Sequence, residues 1–254
     1  MLLLLAALAC TSANPPVDTD TGEEGETGET GDTAVELGTP PEVERVELTT
    51  DDGVVLVGDY YGQTAPTPAV LLLHMIPPNY DRGSWPVKFI ELLRKSGFSV
   101  LALDRRGAGE SGGDAVDAYT GELGVNDAFA AAAFFETQEA TSISIIGASN
   151  GTTTTMDYAV EAEGAGWPAP RAIVWMSPGS YTESQHRLAE LEMADVLELY
   201  PTSEASWAER AAGKAPQGEA WTLIEYDPGS HGTDLFMSDR TVDDDILAWL
   251  LALE

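Results

Sequence analysis

Short apolar runs punctuate the chain at Ala69–Leu73, Ser99–Leu103, Ile143–Ile146 and Arg171–Met176, and each has the pattern of a strand buried on both faces. Upstream the pattern is different. Val43–Thr49 and Val54–Tyr60 alternate apolar and polar residues around Asp51-Asp52-Gly53, which predicts an opening hairpin with one solvated face. Between the runs the apolar period lengthens to that of a helix. Trp85–Lys95 aligns Trp85, Phe89, Leu92 and Leu93 on one face before Gly97 closes it, and Ala128–Phe135 and Thr152–Val160 are further helical stretches. After a Gly/Pro break at Gly164–Pro170, Leu188–Leu197 predicts a short helix and Trp221–Tyr226 a strand. Alternating strands and helices imply an α/β fold: a mostly parallel sheet with an antiparallel N-terminal hairpin, helices on both faces, and sites at the carboxyl ends of the strands.

The first residues do not fit this pattern. Met1–Ala9 is an apolar run ending in small residues before Cys10, the only cysteine of the chain, and it resembles a bacterial lipoprotein signal whose cysteine becomes the lipidated first residue. Residues 11–41 are rich in acids, Gly and Thr, and Asp18–Asp32 contains no apolar side chain. Nothing there offsets the entropy of ordering, so a disordered tether between an anchor on Cys10 and a domain over 42–254 is expected. The resulting expectation is an extracytoplasmic, lipid-anchored bacterial envelope protein whose membrane contact is the lipid on Cys10. One cysteine leaves no intramolecular disulfide, so the fold has to hold by its core.

Composition narrows the partners. The 254 residues carry 43 acids against 12 bases, a formal charge of -31, and a phosphate backbone needs a basic face, so nucleic acid is excluded as an expected partner. No HExxH, CxxC or GxxxxGK[ST] occurs, so no metal or cofactor is expected. A monomer or weak oligomer is expected.

The chemistry begins at Gly147-Ala148-Ser149-Asn150-Gly151, which follows the run Ile143–Ile146 and leads into a helical stretch. Strand, GxSxG and helix in that order read as a nucleophile elbow: Ser149 sits on a strained turn, and side chains at the flanking glycines would collide with neighbouring backbone. The motif is short enough to occur by chance, so its surroundings have to decide.

Those surroundings resemble the α/β-hydrolase family over about Val43 to Leu253. The likeness rests on the strand ending in His74, on Asp104-x-Arg106-Gly107-x-Gly109-x-Ser111, on Gly147-x-Ser149-x-Gly151 and on Gly229-Ser230-His231-Gly232. Small, lidless members of the dienelactone-hydrolase and carboxylesterase type are the most similar. A serine hydroxyl needs a base within reach and a third group to orient that base. The resemblance implies His231 as the base, on a turn after the last strand, and leaves His74 beside the oxyanion hole. His186, in a polar stretch, reads as a surface residue. The acid is expected after the penultimate strand, which places Glu204 there, with Glu183, Asp195 and Asp227 as competitors. Glu198 and Pro201 make Val196–Pro201 a poor strand.

The oxyanion donors are expected to be the amides of Asn150 and Met75, with the bulk of Met75 narrowing the acyl pocket. Asp104-Arg105-Arg106-Gly107 reads as a structural turn held by Asp–Arg hydrogen bonds. Too few residues separate Met176 from Asp195 to form a cap domain, which suits a small-molecule ester in an open cleft. The expected activity is metal-free serine hydrolysis of carboxylic esters. A peptidase or amidase on the same fold and a catalytically silent surface-anchored binding protein are the alternatives.

Overall fold

The computed structural model describes residues 42–64, 66–120, 122–179, 186–191, 195–214 and 221–254. The signal-like segment ending in Cys10, the tether 11–41 and the candidate acid Glu183 lie outside the described residues.

Eight strands form one sheet: β1 (Glu44–Thr49), β2 (Val55–Tyr61), β3 (Ala69–Leu73), β4 (Ser99–Leu103), β5 (Ile143–Ala148), β6 (Ala172–Met176), β7 (Val196–Pro201) and β8 (Trp221–Tyr226), in the order β1-β2-β4-β3-β5-β6-β7-β8. The strand β2 pairs antiparallel with both β1 and β4, and the other pairings are parallel. Every residue of β3, β4, β5 and β6 is buried, which explains the mainly apolar runs, whereas β1 alternates and β8 is exposed along much of its length.

Among the described residues the helices are α1 (Val87–Lys95), α2 (Ala115–Thr120), α3 (Val125–Thr137), α4 (Gly151–Ala165), α5 (Ala205–Lys214), α6 (Leu235–Ser238) and α7 (Val242–Leu253). The helices α1, α6 and α7 pack with Leu72, Val100, Ile146, Val174 and Leu197 on one face of the sheet. On the other face, α3 and α4 cover Leu71, Leu101 and Ile145, and α4 and α5 cover Ile173, Trp175 and Val196. Among the described residues no helix is long and apolar enough to cross a membrane.

Some local expectations need correction. The buried stripe of α1 is Phe89, Ile90 and Leu93; Leu92 lies at its margin, and Trp85 is buried ahead of the helix because Pro86 delays its start. The described residues of Leu188–Leu197 are not α-helical. A 3₁₀ turn spans His186–Glu190 and β7 already begins at Val196, because Leu188, Leu191 and Val196 join one apolar cluster from separate segments.

The strand β7 forms despite its glutamate. Glu198 is fully buried opposite Trp175 of β6 and Leu223 of β8, and neither carboxyl oxygen has a hydrogen-bond partner. Burial pushes this carboxyl well above its usual value of 4.5. The folded state therefore keeps a proton that the unfolded chain releases, so Glu198 lowers stability progressively as pH rises above 4.5. Thermal unfolding at pH 5 and pH 8 should show a smaller pH-dependent loss in Glu198→Gln than in the unaltered protein. Equal losses in the two proteins would contradict a buried, proton-holding carboxyl.

The Asp–Arg turn after β4 combines bonds within its own loop with long-range pairs to other segments. Asp104 accepts from the Arg82 side chain and from the Glu110 amide. Arg106, also buried, donates Nε to Asp127 Oδ1 at 2.7 Å and its main-chain N–H to Asp127 Oδ2 at 2.8 Å, while its Nη atoms grip Asp52 at 2.7 and 3.1 Å. Removing one member of such a pair strands a charge in the core. Asp127→Ala should cost about 3–5 kcal/mol in urea unfolding, whereas loss of an exposed pair costs about 1 kcal/mol or less.

Candidate active site

The chain crosses from β4 over β3 to β5, so the carboxyl ends of β3 and β5 lie side by side where the connections diverge, the usual place for a site in an open α/β sheet. Leu73 is in register with Gly147, which places Met75 and Ser149 at the same level beyond the sheet. Ser149 has φ +49°, a left-handed conformation costing about 1–3 kcal/mol for a non-glycine residue, and its N–H donates to Met176 O at 2.7 Å. The flanking glycines are sterically required. A Cβ on Gly147 would meet Thr155 Oγ1 at 2.3 Å and Gly151 O at 2.7 Å, and one on Gly151 would meet Leu73 O at 2.4 Å and His74 O at 2.8 Å.

The strands β7 and β8 are parallel neighbours in which Pro201 is paired with Tyr226, so the connections that leave them run together. Gly229 packs on Pro201, where a Cβ would approach to 2.9 Å. This brings His231 and Glu204 together: His231 Nδ1 lies 2.7 Å from Glu204 Oε1, and His231 Nε2 lies 2.6 Å from Ser149 Oγ. An ionised carboxylate only accepts, so Nδ1 carries the ring proton and Nε2 is free to accept from the serine. The His231 side chain is 40% exposed and that of Glu204 13%, so solvent reaches the imidazole while its carboxylate partner is shielded. The two described competitors do not reach His231. Asp195 pairs with Arg171, and Asp227 is exposed in the turn after β8.

Asn150 is the N-cap of α4, and among the described residues neither its N–H nor that of Met75 is spent on a turn or cap hydrogen bond. The Met75 side chain does not stand free in a cleft: it is 1% exposed, belongs to the core, and its sulfur occupies the space a Cβ on Gly232 would need, 2.3 Å away. His74 is fully buried. Its Nε2 accepts the Arg105 N–H at 2.9 Å, so Nδ1 holds the proton and donates to Met75 O at 2.8 Å. Burial and then the Arg105 charge hold the ring neutral, with its pKa lowered to about 3.

Two supporting residues escaped the sequence reading. Ser177, fully buried with φ +55°, accepts the Gly232 N–H at 2.9 Å through Oγ and so fixes the turn that carries His231. Arg105, also fully buried, donates to Asn150 Oδ1 at 3.0 Å, Ala118 O at 2.7 Å and Thr154 Oγ1 at 2.9 Å. The available signal was a pair of bases directly after a buried strand. Among the described residues, no group of three or more His, Cys, Asp or Glu side chains is arranged to hold a metal ion. A polarised serine beside free main-chain donors can carry acyl transfer.

Comparison with known proteins agrees with this architecture. The family described as serine aminopeptidase, S33, matches residues 70–231. No curated protein matches the chain. Solved structures that resemble it include an esterase of Pyrococcus furiosus, with 20% identity over 83% of this chain and 92% of that one at a TM-score of 0.65. A dienelactone hydrolase of Anabaena variabilis aligns with 18% identity over 85% and 96% at 0.63, and an esterase of a Rhodococcus species with 17% over 83% and 99% at 0.63.

Proposed function

Since the chain belongs to the serine aminopeptidase S33 family and is a hydrolase of the α/β-hydrolase fold, we propose that it cleaves carboxylic esters through an acyl-enzyme on Ser149. Ser149 Oγ attacks the acyl carbonyl as its proton passes to His231 Nε2, and Glu204 holds the resulting imidazolium in place. The negative charge on the former carbonyl oxygen is bound by the N–H groups of Met75 and Asn150. His231 then returns the proton to the departing alkoxide, and a water molecule repeats the sequence on the acyl-enzyme to release the acid.

The observation that carries this reading is the continuous pair of short hydrogen bonds from Ser149 through His231 to Glu204, 2.6 and 2.7 Å. In the connection from β6 to β7 the described residues form a single 3₁₀ turn, which supports small or exposed esters over a deeply bound lipid. The N-terminal sequence supports attachment through a lipid on Cys10 outside the cytoplasm, which the mass of the membrane-fraction protein would test by the presence or absence of diacylglycerol.

Hydrolysis of p-nitrophenyl esters from acetate to octanoate, compared with the matching p-nitroanilides, tests the reaction class. Ester turnover that stops when a fluorophosphonate adds its mass to Ser149 is the expected result. Anilides cleaved faster than esters would instead make the protein an amidase. Folded protein that neither turns over nor labels would be a binding protein.

A further inference from the structure

We infer that the buried guanidinium of Arg105 and the hydroxyl of Thr152 polarise the two peptides whose N–H groups bind the oxyanion, so that both act as positioning residues for the reaction. The inference rests on the reading of Ser149, Met75 and Asn150 given above. A main-chain N–H donates more strongly when the carbonyl of its own peptide accepts a hydrogen bond, because each bond polarises the next by about 10–30%.

Both donor peptides are held in this way. The Met75 N–H shares its peptide with the His74 carbonyl, which lies 3.4 Å from Arg105 Nη1. The Asn150 N–H shares its peptide with the Ser149 carbonyl, which accepts Thr152 Oγ1 at 2.7 Å and Thr152 N–H at 3.0 Å. Arg105 Nη1 also reaches Asn150 Oδ1 at 3.0 Å and Met75 O at 3.5 Å, so one cation touches both sides of the hole.

The placement is costly to build. Taking a guanidinium out of water costs several kcal/mol even after relaxation, and Arg105 has no exposed surface. Arg105 directs its Nη atoms at carbonyl, amide and hydroxyl oxygens behind the reacting serine. His74 completes the arrangement. Its neutral ring bridges the Arg105 N–H and Met75 O without bringing in a second positive charge. The result is a fixed field aimed where negative charge develops, in a site that reorganises little during reaction.

A trifluoromethyl ketone labelled with ¹³C at the ketone carbon reads this field. Ser149 Oγ adds to that carbon as its proton passes to His231, which leaves a hemiketal oxyanion in the hole, and the pH below which that oxygen is protonated is reported by the ¹³C shift. Thr152→Val keeps shape and removes only the hydroxyl, while Arg105→Met removes the charge. Arg105→Gln serves in its place if Arg105→Met does not fold. Both substitutions should raise the pH at which the adduct ionises. They should also lower kcat on a p-nitrophenyl ester by about 5-fold and about 10-fold respectively, with KM changing less than kcat. Thr152→Ser and Arg105→Lys should recover most of each loss.

A purely structural role would alter stability or the yield of adduct but leave its ionisation where it was. An unchanged ionisation pH in the folded variants would therefore overturn the inference alone. Failure of the unaltered protein to form the adduct on Ser149 would overturn the reading of the site and the inference with it.

Discussion

Ser149→Ala should lower kcat on any ester substrate by about 10⁶-fold while leaving the fold and KM near their starting values. In the proposed mechanism the loss is large because Ser149 and His231 would act as one unit: without Oγ, His231 Nε2, 2.6 Å away, would have no proton to take and the hole no tetrahedral intermediate to hold. The residual rate over water, on the order of 10³–10⁴-fold, would come from binding and from the two main-chain donors. Burst kinetics would check this directly, since the unaltered protein should release one equivalent of p-nitrophenol before steady state and Ser149→Ala none. A variant retaining a tenth of the turnover would show that the nucleophile lies elsewhere.

Glu204→Gln should cost about 10⁴-fold in kcat with little change in KM, by a different mechanism. A glutamine amide can turn its NH₂ toward His231 Nδ1, which then accepts, so the ring proton moves to Nε2 and faces Ser149 Oγ, where an acceptor is needed. Asp195→Asn and Asp227→Asn serve as comparisons, because Asp195 is tied to Arg171 and Asp227 is exposed. Each should stay within a few-fold of the starting rate. A large loss in either, with Glu204→Gln nearly as active as the unaltered protein, would assign the orienting role to another carboxylate.

Much of this fold is legible in the chain because its signals are local. A strand buried on both faces has no solvent-facing position, so β3, β4, β5 and β6 stand out as mainly apolar runs in which Ser99 and Ser144 are the polar residues. The elbow is legible for the same reason, since Gly147 and Gly151 are required by contacts within a few residues or with the adjacent strand end. The neighbours of Arg105 and Arg106 are not legible. Asp127 and Asp52 lie 21 and 54 residues from Arg106, and no periodicity records which acid a buried base will meet. Glu198 misleads in the opposite direction: a glutamate counts against a strand locally, but pairing with β6 and β8 overrides that preference. The orientation of the Met75 side chain was equally hidden, because it follows from space left by Gly232, far along the chain.

Gly151 fixes a dimension as well as a turn. With no Cβ, it lets the start of α4 rest directly on Leu73 O and His74 O, so the spacing between the two strand ends is set by main-chain atoms in contact. Main-chain radii do not vary with sequence. The gauge between the Met75 and Asn150 amides is therefore insulated from substitutions in the surrounding side chains. On the proposed ester-cleaving reading, the walls of the cleft can be remodelled for new acyl groups and alcohols without recalibrating the pair of amides assigned to the oxyanion. The same contact sets the boundary of that freedom, because alanine at position 151 is already one carbon too many.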